Sequence, residues 1–250
     1  MSSAAAPDTG TLLGVWAHPD DDAFLSAALM ATARRSGDRV VVATATRGEE
    51  GTPDPERWPP ERLGALRARE QARSLAALGV TEHRWLGHHD GTLAEVERSS
   101  AIAQLSAIID EVKPDTIVTF GPDGMTGHSD HRTVSAWVTL AWRETGAPSR
   151  LWYATLTPSF HRTWGRVNDE VGLWFDGAQP PVTDEADLAA QVVCDETLAD
   201  LKHAALRAHA SQVGGLVQTV GEERFRQWWS VESFVAASSV AHEEVRHASR

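Results

Sequence analysis

The stretch TLLGVWAHPDDDAF, residues 11–24, passes from a continuous apolar run to a histidine, a proline and three consecutive aspartates. A short run that is apolar throughout is typical of a strand buried on both faces of a parallel sheet. Asp20, Asp21 and Asp22 follow it closely, and adjacent carboxylates repel each other unless a positive charge lies among them. The stretch therefore predicts a buried strand that leads into a polar site.

Strand-like and helix-like segments alternate from this stretch to residue 158. The predicted strands are 11–17, 39–46, 83–91 (strand, then loop), 115–122 and 150–158, and the predicted helices are 23–37, 60–80, 97–114 and 128–146. This alternation predicts βαβ units, and hence an α/β fold with a mostly parallel sheet and helices on both of its faces.

The alternation is less regular in the rest of the chain. Residues 167–194 contain Gly and Pro and predict a strand, a turn and a covering segment, while residues 195–215 predict a helix with Asp195 as its N-cap. Residues 49–61 are predicted to form a mobile loop, not a linker between domains. The 250 residues are therefore expected to form one domain, 1–250.

The composition argues against several classes of protein. A formal net charge of −12 lacks the basic footprint that non-specific nucleic-acid binding requires. No apolar run is long enough to span a membrane, and MSSAAAPDTG (residues 1–10) does not resemble a signal peptide. Cys194 is the only cysteine, which excludes an internal disulfide and fits a reducing compartment, so a cytoplasmic location is expected. The oligomeric state is left open.

Four polar clusters follow the first four predicted strands, one cluster after each strand. They are HPDDD (18–22), TRGEEGT (46–52), HHDG (88–91) and GPDGMTGHSDH (121–131). Ligands of open α/β sheets bind outside the carboxyl ends of the strands, where all four clusters are expected to meet. The sequence thus predicts a functional site at this edge of the sheet.

His18, Asp21 and His131 form a donor set that suits a metal ion. A hydrolytic zinc site commonly uses three His, Asp or Glu ligands and keeps one position for water. A cation would also offset the repulsion among the adjacent carboxylates. Because neighbouring side chains diverge in a turn, Asp21 can bind the metal while Asp20 faces the attacking water as a candidate general base.

The HSDH segment (128–131) supplies a second group. His128 and His131 share a face of a helix, so one can bind metal while the other points at the substrate. Asp130 lies between them and suits accepting a hydrogen bond from an imidazole, which would fix the tautomer of that ring. Taken singly, the aspartates could simply cap a helix and HSDH could be a polar helix start. The histidines of HHDG are interpreted as loop residues.

AHPDDD (17–22) resembles the AHPDDE signature of the LmbE-like, N-acetylglucosaminyl de-N-acetylase family. GHSDHR (127–132) resembles the second signature of that family, His-x-Asp-His. Further similar segments are TRGEEGT, RAREQARSLAALGV (67–80), GHHDGTL (87–93) and KHAALRAHASQ (202–212). The resemblance extends over roughly residues 11–215.

This resemblance implies a Rossmann-like fold, one divalent metal per chain that is usually zinc, and a small-molecule amino sugar conjugate from which an N-acetyl group is hydrolysed. Matched motif by motif, it implies three metal ligands (His18, Asp21 and His131), a general base (Asp20), a residue that stabilises the oxyanion or protonates the amine (His128), and two residues that bind the sugar or aglycone (Arg67 and Asp90).

One departure from the family pattern concerns Asp22, which stands where the family usually has Glu. Its carboxylate is about one methylene shorter, so a supporting hydrogen bond is expected to be lost or bridged by water. The alternative substrate is another amide, in a thiol conjugate or a natural-product glycoside. Hydrolysis of an ester or phosphoester and sugar binding without turnover are also open, whereas a phosphoacceptor receiver domain fits poorly because Lys113 precedes a strand.

Overall fold

The computed structural model describes residues 7–175 and 177–237, which contain a seven-stranded sheet. Its strands are β1 (Leu12–Trp16), β2 (Val40–Thr44), β3 (Glu82–Trp85), β4 (Thr116–Phe120), β5 (Arg150–Thr155), β6 (Ala190–Val193) and β7 (Val231–Ala236). The strand order is β3-β2-β1-β4-β5-β7-β6, with β1 to β5 parallel and β7 antiparallel to both of its neighbours. The predicted α/β fold with a mostly parallel sheet is confirmed.

The helices form two groups that pack on the sheet. They are α1 (Asp21–Leu25), α2 (Ala27–Ser36), α3 (Pro60–Ala77), α4 (Arg98–Val112), α5 (Ser129–Thr145), α6 (Pro158–Glu170), α7 (Glu196–Ala208), α8 (Ala210–Val220) and α9 (Glu222–Trp228). α4 packs against α5, while α7 packs against α2 and α3. Right-handed crossovers place α2 and α3 on one face of the sheet and α4 and α5 on the other.

The sheet order places the site between β1 and β4. Both strands are buried along their whole length, as their apolar sequences predict. From β1 the chain proceeds outward through β2 and β3, then returns to build β4 and β5 on the opposite side of β1. The loops that follow β1 and β4 therefore diverge to opposite faces and leave a crevice between them, which is where open α/β sheets bind ligands.

Two helices that were predicted as continuous are each divided. The segment 23–37 forms α1 and α2, with a break at Ser26, whose hydroxyl donates a hydrogen bond to the carbonyl of Asp22 (3.1 Å). The segment 195–215 forms α7 and part of α8, with a break at His209, although Asp195 is the N-cap as predicted. A serine side chain can compete with the helical hydrogen-bond ladder, which the helix propensity of these segments does not reveal.

The interpretation of residues 167–194 is wrong at its beginning, because α6 continues to Glu170. Its start carries recognisable signals, since Pro158 is the first helical residue and the hydroxyl of Thr157 accepts a hydrogen bond from the N–H of Phe160 (3.2 Å). The strand β6 at the end of this region is short, and it pairs with β7. The strand β7 was not predicted from the sequence.

Residues 1–6, 176 and 238–250 lie outside the described residues. The expectation that residues 1–10 do not form a signal peptide therefore concerns a segment that is mostly not described. The single domain over 1–250 stays a prediction. Within the described ranges, no helix is both long enough and apolar enough to cross a membrane.

A buried ion pair joins the C-terminal part of the sheet to the helices that follow β1. The Lys202 ammonium donates to Glu232 Oε1 (2.5 Å) and to the carbonyl of Phe24 (2.6 Å), and both charged residues are at most 3% exposed. The Glu232 carboxylate also accepts the N–H groups of Ala28 and Leu29, each at 2.8 Å, in the first turn of α2. The helix dipole favours a negative charge at this position.

We expect Lys202→Met to lower the free energy of unfolding by about 3–5 kcal/mol, because it leaves a buried carboxylate without its counter-ion. Urea unfolding followed by circular dichroism measures the loss. Arg39→Met is the control, since it breaks the Arg39–Glu82 pair, which is partly exposed, and its effect should be much smaller. A second variant, Lys202→Met with Glu232→Gln, should regain part of the loss. Equal effects of the two single variants would contradict this account.

Candidate active site

The aspartates after β1 separate because the chain turns sharply at Asp20. Its φ of 96° lies in the left-handed region, which residues with a Cβ rarely adopt. The Asp20 carboxylate accepts a hydrogen bond from Arg67 Nη2 (3.3 Å). The Asp21 carboxylate accepts the backbone N–H of His18 (2.7 Å) instead. The two neighbouring carboxylates therefore face different parts of the site.

Asp22 points away from both of them, into the protein. Its Oδ1 accepts a hydrogen bond from Gln71 Nε2 (3.0 Å), whereas its Oδ2 is buried with no hydrogen-bond partner in the described part of the chain. Burial raises the pKa of Asp22 to about 7, and the Gln71 hydrogen bond opposes this rise. The unpartnered oxygen is consistent with the hydrogen bond expected to be lost when Asp replaces Glu at this position.

His18, Asp21 and His131 converge at the crevice between β1 and β4. His18 Nδ1 lies 3.1 Å from His131 Nε2 and 3.6 Å from Asp21 Oδ2, and His131 Nε2 lies 3.4 Å from Asp21 Oδ1. Zinc bound at roughly 2.0–2.2 Å by tetrahedral N and O ligands keeps those ligands about 3.4 Å apart. The three side chains therefore have the separation of ligands around one ion.

The outer nitrogens of the two rings have partners that fix their roles. His131 Nδ1 lies 3.0 Å from the carbonyl of Gly124, so Nδ1 carries the proton and Nε2 presents its lone pair. His18 Nε2 lies 2.9 Å from Asp90 Oδ1, which likewise makes Nε2 the protonated nitrogen of a neutral His18 ring. Two lone pairs and a carboxylate then face one another.

Such a grouping needs a positive charge at its centre. Burial disfavours a charged His18, but hydrogen bonds to Asp130 and Asp90 outweigh burial and raise the pKa of His18 to about 10. Burial and the neighbouring histidines His18 and His128 keep the pKa of His131 well below its usual value. A proton on His18 Nδ1 supplies this positive charge. A divalent cation bound among the same atoms would also supply it. The donor set therefore fits a metal, and the assignment of the ligands stays a prediction.

His128 lies beside this group and caps α5. Its Nδ1 accepts the backbone N–H of Asp130 (3.2 Å), so in the neutral ring Nε2 carries the proton. His18, His128 and His131 also bring one ring nitrogen each within 4.8 Å of the others, and such a group could hold a metal. The division of roles between His128 and His131 stays a prediction.

Asp90 and Asp130 both flank the outer nitrogen of His18. Asp130 Oδ2 lies 3.4 Å from His18 Nε2 and accepts the backbone N–H of Gly91 (2.8 Å). Asp90 Oδ2 accepts the backbone N–H of Glu50 (3.0 Å), and Asp90 is only 6% exposed. Burial would raise the pKa of Asp90, but His18 outweighs it and lowers that pKa to about 2. Both carboxylates are placed to fix the tautomer of His18, and substrate binding by Asp90 stays a prediction.

Arg67 is also held inside the protein, since it is only 4% exposed. Besides Asp20, its guanidinium donates to the carbonyls of Pro19 (2.7 Å) and Gly48 (2.8 Å). Gly48 has a φ of 63°, and a Cβ there would lie 2.3 Å from Arg67 Cζ, so only glycine fits. Arg67 therefore joins the loops after β1 and β2, and the substrate-binding role taken from the resemblance stays a prediction.

Gln71 is a site residue that the sequence analysis missed. It lies four residues after Arg67 on α3, so the two side chains share one helix face. Gln71 donates to Asp22, and its Oε1 lies 3.4 Å from the backbone nitrogen of Asp20. The i, i+4 spacing within RAREQAR was the available signal.

Three further residues that were considered from the sequence lie outside this cluster, namely His88, His89 and Cys194. His88 packs against Trp137, with ring centroids 5.3 Å apart, and the imidazole of His89 is 60% exposed. Both lie in the loop after β3, as interpreted from the sequence. Cys194 is half-buried, and burial raises the pKa of its thiol to about 11, which suits packing and not nucleophilic attack.

The sheet order and the histidine–aspartate cluster at its reversal point define an α/β enzyme with a buried polar centre. The model of the GlcNAc-PI de-N-acetylase (PIG-L) family matches residues 13–142, which is more than half of the chain. The chain belongs to this family. The resemblance to LmbE-like deacetylases and the prediction of a deacetylase are thereby confirmed.

Individual relatives match most of the chain. It is 33% identical to the 1D-myo-inositol 2-acetamido-2-deoxy-alpha-D-glucopyranoside deacetylase of Saccharomonospora viridis, over 86% of this chain and 87% of that protein. It is 32% identical to the enzyme of the same name from Streptomyces avermitilis, over 83% and 84%. The solved N,N'-diacetylchitobiose deacetylase of Pyrococcus horikoshii has the same fold, with a TM-score of 0.61 and 20% identity over 92% of this chain and 84% of that one.

We expect Arg67→Met to reduce the free energy of unfolding by about 3 kcal/mol, because two buried carbonyls and a carboxylate lose a charged donor. Thermal and urea unfolding measure the change. Arg69→Met is the matched control, since Arg69 is exposed on the same helix and should be nearly neutral. A stability that stays at the wild-type value, with only KM raised, would instead support the substrate-binding role.

Proposed function

We propose that this protein is a zinc-dependent hydrolase that removes the N-acetyl group from an N-acetylglucosaminyl-type amino sugar conjugate. The observation that carries the proposal is the convergence of His18, Asp21 and His131 on one point, with the Asp20 carboxylate turned to a separate partner. Family membership and the names of the relatives support the substrate class. A cytoplasmic location stays a prediction.

His18 Nδ1, His131 Nε2 and one oxygen of Asp21 would hold the zinc ion. The carbonyl of Gly124 and the carboxylate of Asp90 keep the lone pairs of the two rings directed at that position. When bound, zinc supplies a Lewis acid for the amide carbonyl and lowers the pKa of a coordinated water.

Asp20 acts as the general base. Its side chain is 14% exposed, and the only charged hydrogen bond it makes in the described part of the chain is with Arg67. Burial raises the pKa of Asp20 to about 7, although Arg67 opposes this rise. A carboxylate with a raised proton affinity accepts a proton from the attacking water more readily than an exposed one.

His128 acts on the amide oxygen of the substrate, whereas Asp20 acts on the attacking water. Because its Nδ1 accepts the N–H of Asp130, its protonated Nε2 is the nitrogen that can donate. A donor fixed in this way stabilises negative charge as it develops on the amide oxygen. The proton that Asp20 takes from the attacking water can pass to the departing amine, which leaves as a free amine while acetate is released.

A screen of N-acetylated compounds for acetate and free amine, with and without added zinc, tests the proposed activity. The panel should contain N-acetylglucosamine, its inositol conjugate, its oligomers, an N-acetylated thiol conjugate and a natural-product glycoside. Release from an amino sugar conjugate supports the proposal. Release only from the thiol conjugate or only from the natural-product glycoside would favour the alternative amide, and no release from any member would contradict the proposal.

The purified protein should carry about one divalent metal per chain, and His131→Ala should lose it. Elemental analysis by mass spectrometry measures the metal content. His88→Ala is a matched control, because that imidazole packs against Trp137 and should not affect the metal. His128→Ala should keep the metal and lose turnover, and a metal-free His128→Ala variant would show that His128 is a ligand.

Asp20→Asn should keep the metal and lower kcat by about 10²- to 10⁴-fold, the contribution of a positioned general base. Asp21→Asn is the same chemical change one residue further on, and it should weaken metal binding. Metal content and steady-state kinetics of both variants are the measurements. Loss of metal from Asp20→Asn alone would exchange the two roles, and full activity of that variant would place the base elsewhere.

A further inference from the structure

Three aromatic rings in contact lead from the core of the sheet to His131. The indole of Trp16, the last residue of β1, packs edge-to-face against the ring of Phe120, the last residue of β4, with centroids 5.0 Å apart and an interplanar angle of 88°. Phe120 is in turn stacked on the imidazole of His131, at 4.1 Å and 10°. We call these three residues the aromatic ladder. Trp16 and Phe120 have no part in the mechanism proposed above.

The first two rings of the aromatic ladder are fixed by their surroundings. Trp16 and Phe120 have no exposed surface. A Cβ on Gly14 would lie 2.8 Å from Trp16 Nε1, so the glycine makes room for the indole. The carbonyl of Phe120 accepts a hydrogen bond from the hydroxyl of Ser135 (2.9 Å), one turn after His131 on α5. The end of β4 is therefore joined to the start of α5 both through the Phe120 ring and through its backbone.

Phe120 restrains a motion of the His131 ring that hydrogen bonding leaves open. The last torsion of a histidine side chain joins an sp³ to an sp² carbon and is broad. The Gly124 carbonyl, 3.0 Å from His131 Nδ1, contacts the ring at its rim and fixes which nitrogen carries the proton. A flat ring stacked on the imidazole also blocks its tilt, because the tilted edge would enter the space of Phe120. The stack thus restrains the direction in which Nε2 points.

His18, the other histidine of the proposed ligand set, is held in a different way. Its Nε2 lies 2.9 Å from Asp90 Oδ1 and 3.4 Å from Asp130 Oδ2, so carboxylates orient the ring from its outer edge. Neither of the two imidazoles beside it is parallel to its plane (81° and 48°). Within residues 7–175 and 177–237, the outer nitrogen of His131 has no carboxylate at salt-bridge distance. The Phe120 stack is the counterpart of the support that carboxylates give to His18.

We propose that Phe120 is a positioning residue of the metal centre, and that its ring fixes the plane of His131 so that Nε2 stays directed at the metal position. The inference rests on the proposed function, because it takes His131 to be a metal ligand. Residues that orient a ligand commonly change metal affinity by about 10- to 100-fold, although they do not touch the ion. Phe120 is therefore expected to determine how tightly zinc is held.

The zinc affinity of Phe120→Leu, measured by competition with a chromogenic chelator, tests this role. Leucine keeps an apolar side chain in the core but removes the flat face, so the Kd for zinc should rise about 10- to 100-fold. Phe120→Tyr keeps that face and should retain the wild-type Kd, even where its buried hydroxyl lowers stability. Phe234→Leu is the matched control, since Phe234 is equally buried, on β7, and lies outside the aromatic ladder. Urea unfolding of the three variants separates a change in Kd from a change in stability.

Proton NMR of the zinc-free wild type, with isotope-labelled histidine, tests the stack without a substitution. Protons that lie over the face of an aromatic ring are shifted upfield. The ring protons of His131 should therefore resonate upfield of those of His161, which is exposed. The upfield shift should persist in Phe120→Tyr and be lost in Phe120→Leu.

The outcomes distinguish this inference from the proposed function. A wild-type protein that binds no zinc would contradict the proposed function and the inference together. If the wild type binds zinc and Phe120→Leu binds it equally well, or if Phe234→Leu loses as much affinity, the inference alone is overturned. A wild-type His131 ring without the upfield shift would overturn it as well, whether or not the variants fold.

Discussion

The left-handed turn at Asp20 is the constraint on which the arrangement of the site depends. It lies between a buried strand and a helix, and it sends consecutive carboxylates to Arg67, to the histidine pair and to Gln71. Without this reversal, adjacent negative charges would share one volume, which Coulomb repulsion in a buried setting opposes. The surrounding cationic and polar groups offset the strain of a conformation that side chains with a Cβ rarely adopt.

The positive charges of the site are distributed to match this division. Arg67 neutralises Asp20 and joins the loops after β1 and β2, while the outer nitrogen of His18 meets Asp90 and Asp130. The inner face of His18 is thereby left to the point where Asp21 and His131 converge. The charges of Arg67, Asp90 and Asp130 each have a partner of opposite or complementary character, which suits a site that must hold its geometry while charge develops on a substrate.

Much of the sheet and the approximate location of the site could be predicted from the sequence, because buried strands have a recognisable sequence pattern. Buried parallel strands leave continuous apolar runs, so the carboxyl ends of β1 and β4, and with them His18 and His131, could be placed at one sheet edge. Side-chain direction within loops has no comparable signature. Spacing therefore could not show that Arg67 and Asp90 turn inward, nor that Ser26 interrupts a segment rich in helix formers. The strand β7 was missed because no βαβ alternation leads to it.

The buried pair of Lys202 and Glu232 has a consequence for how this chain can diverge or recombine. The family match ends at residue 142, and every residue assigned to the chemistry precedes that point. Yet the first turn of α2, just after the aspartates, is held by a carboxylate from β7. A chimaera that joins the first half to the second half of a relative inherits a working scaffold only if that half brings both the ammonium and the carboxylate. The two halves are thus constrained to evolve together, although all the residues proposed for the chemistry lie in the first.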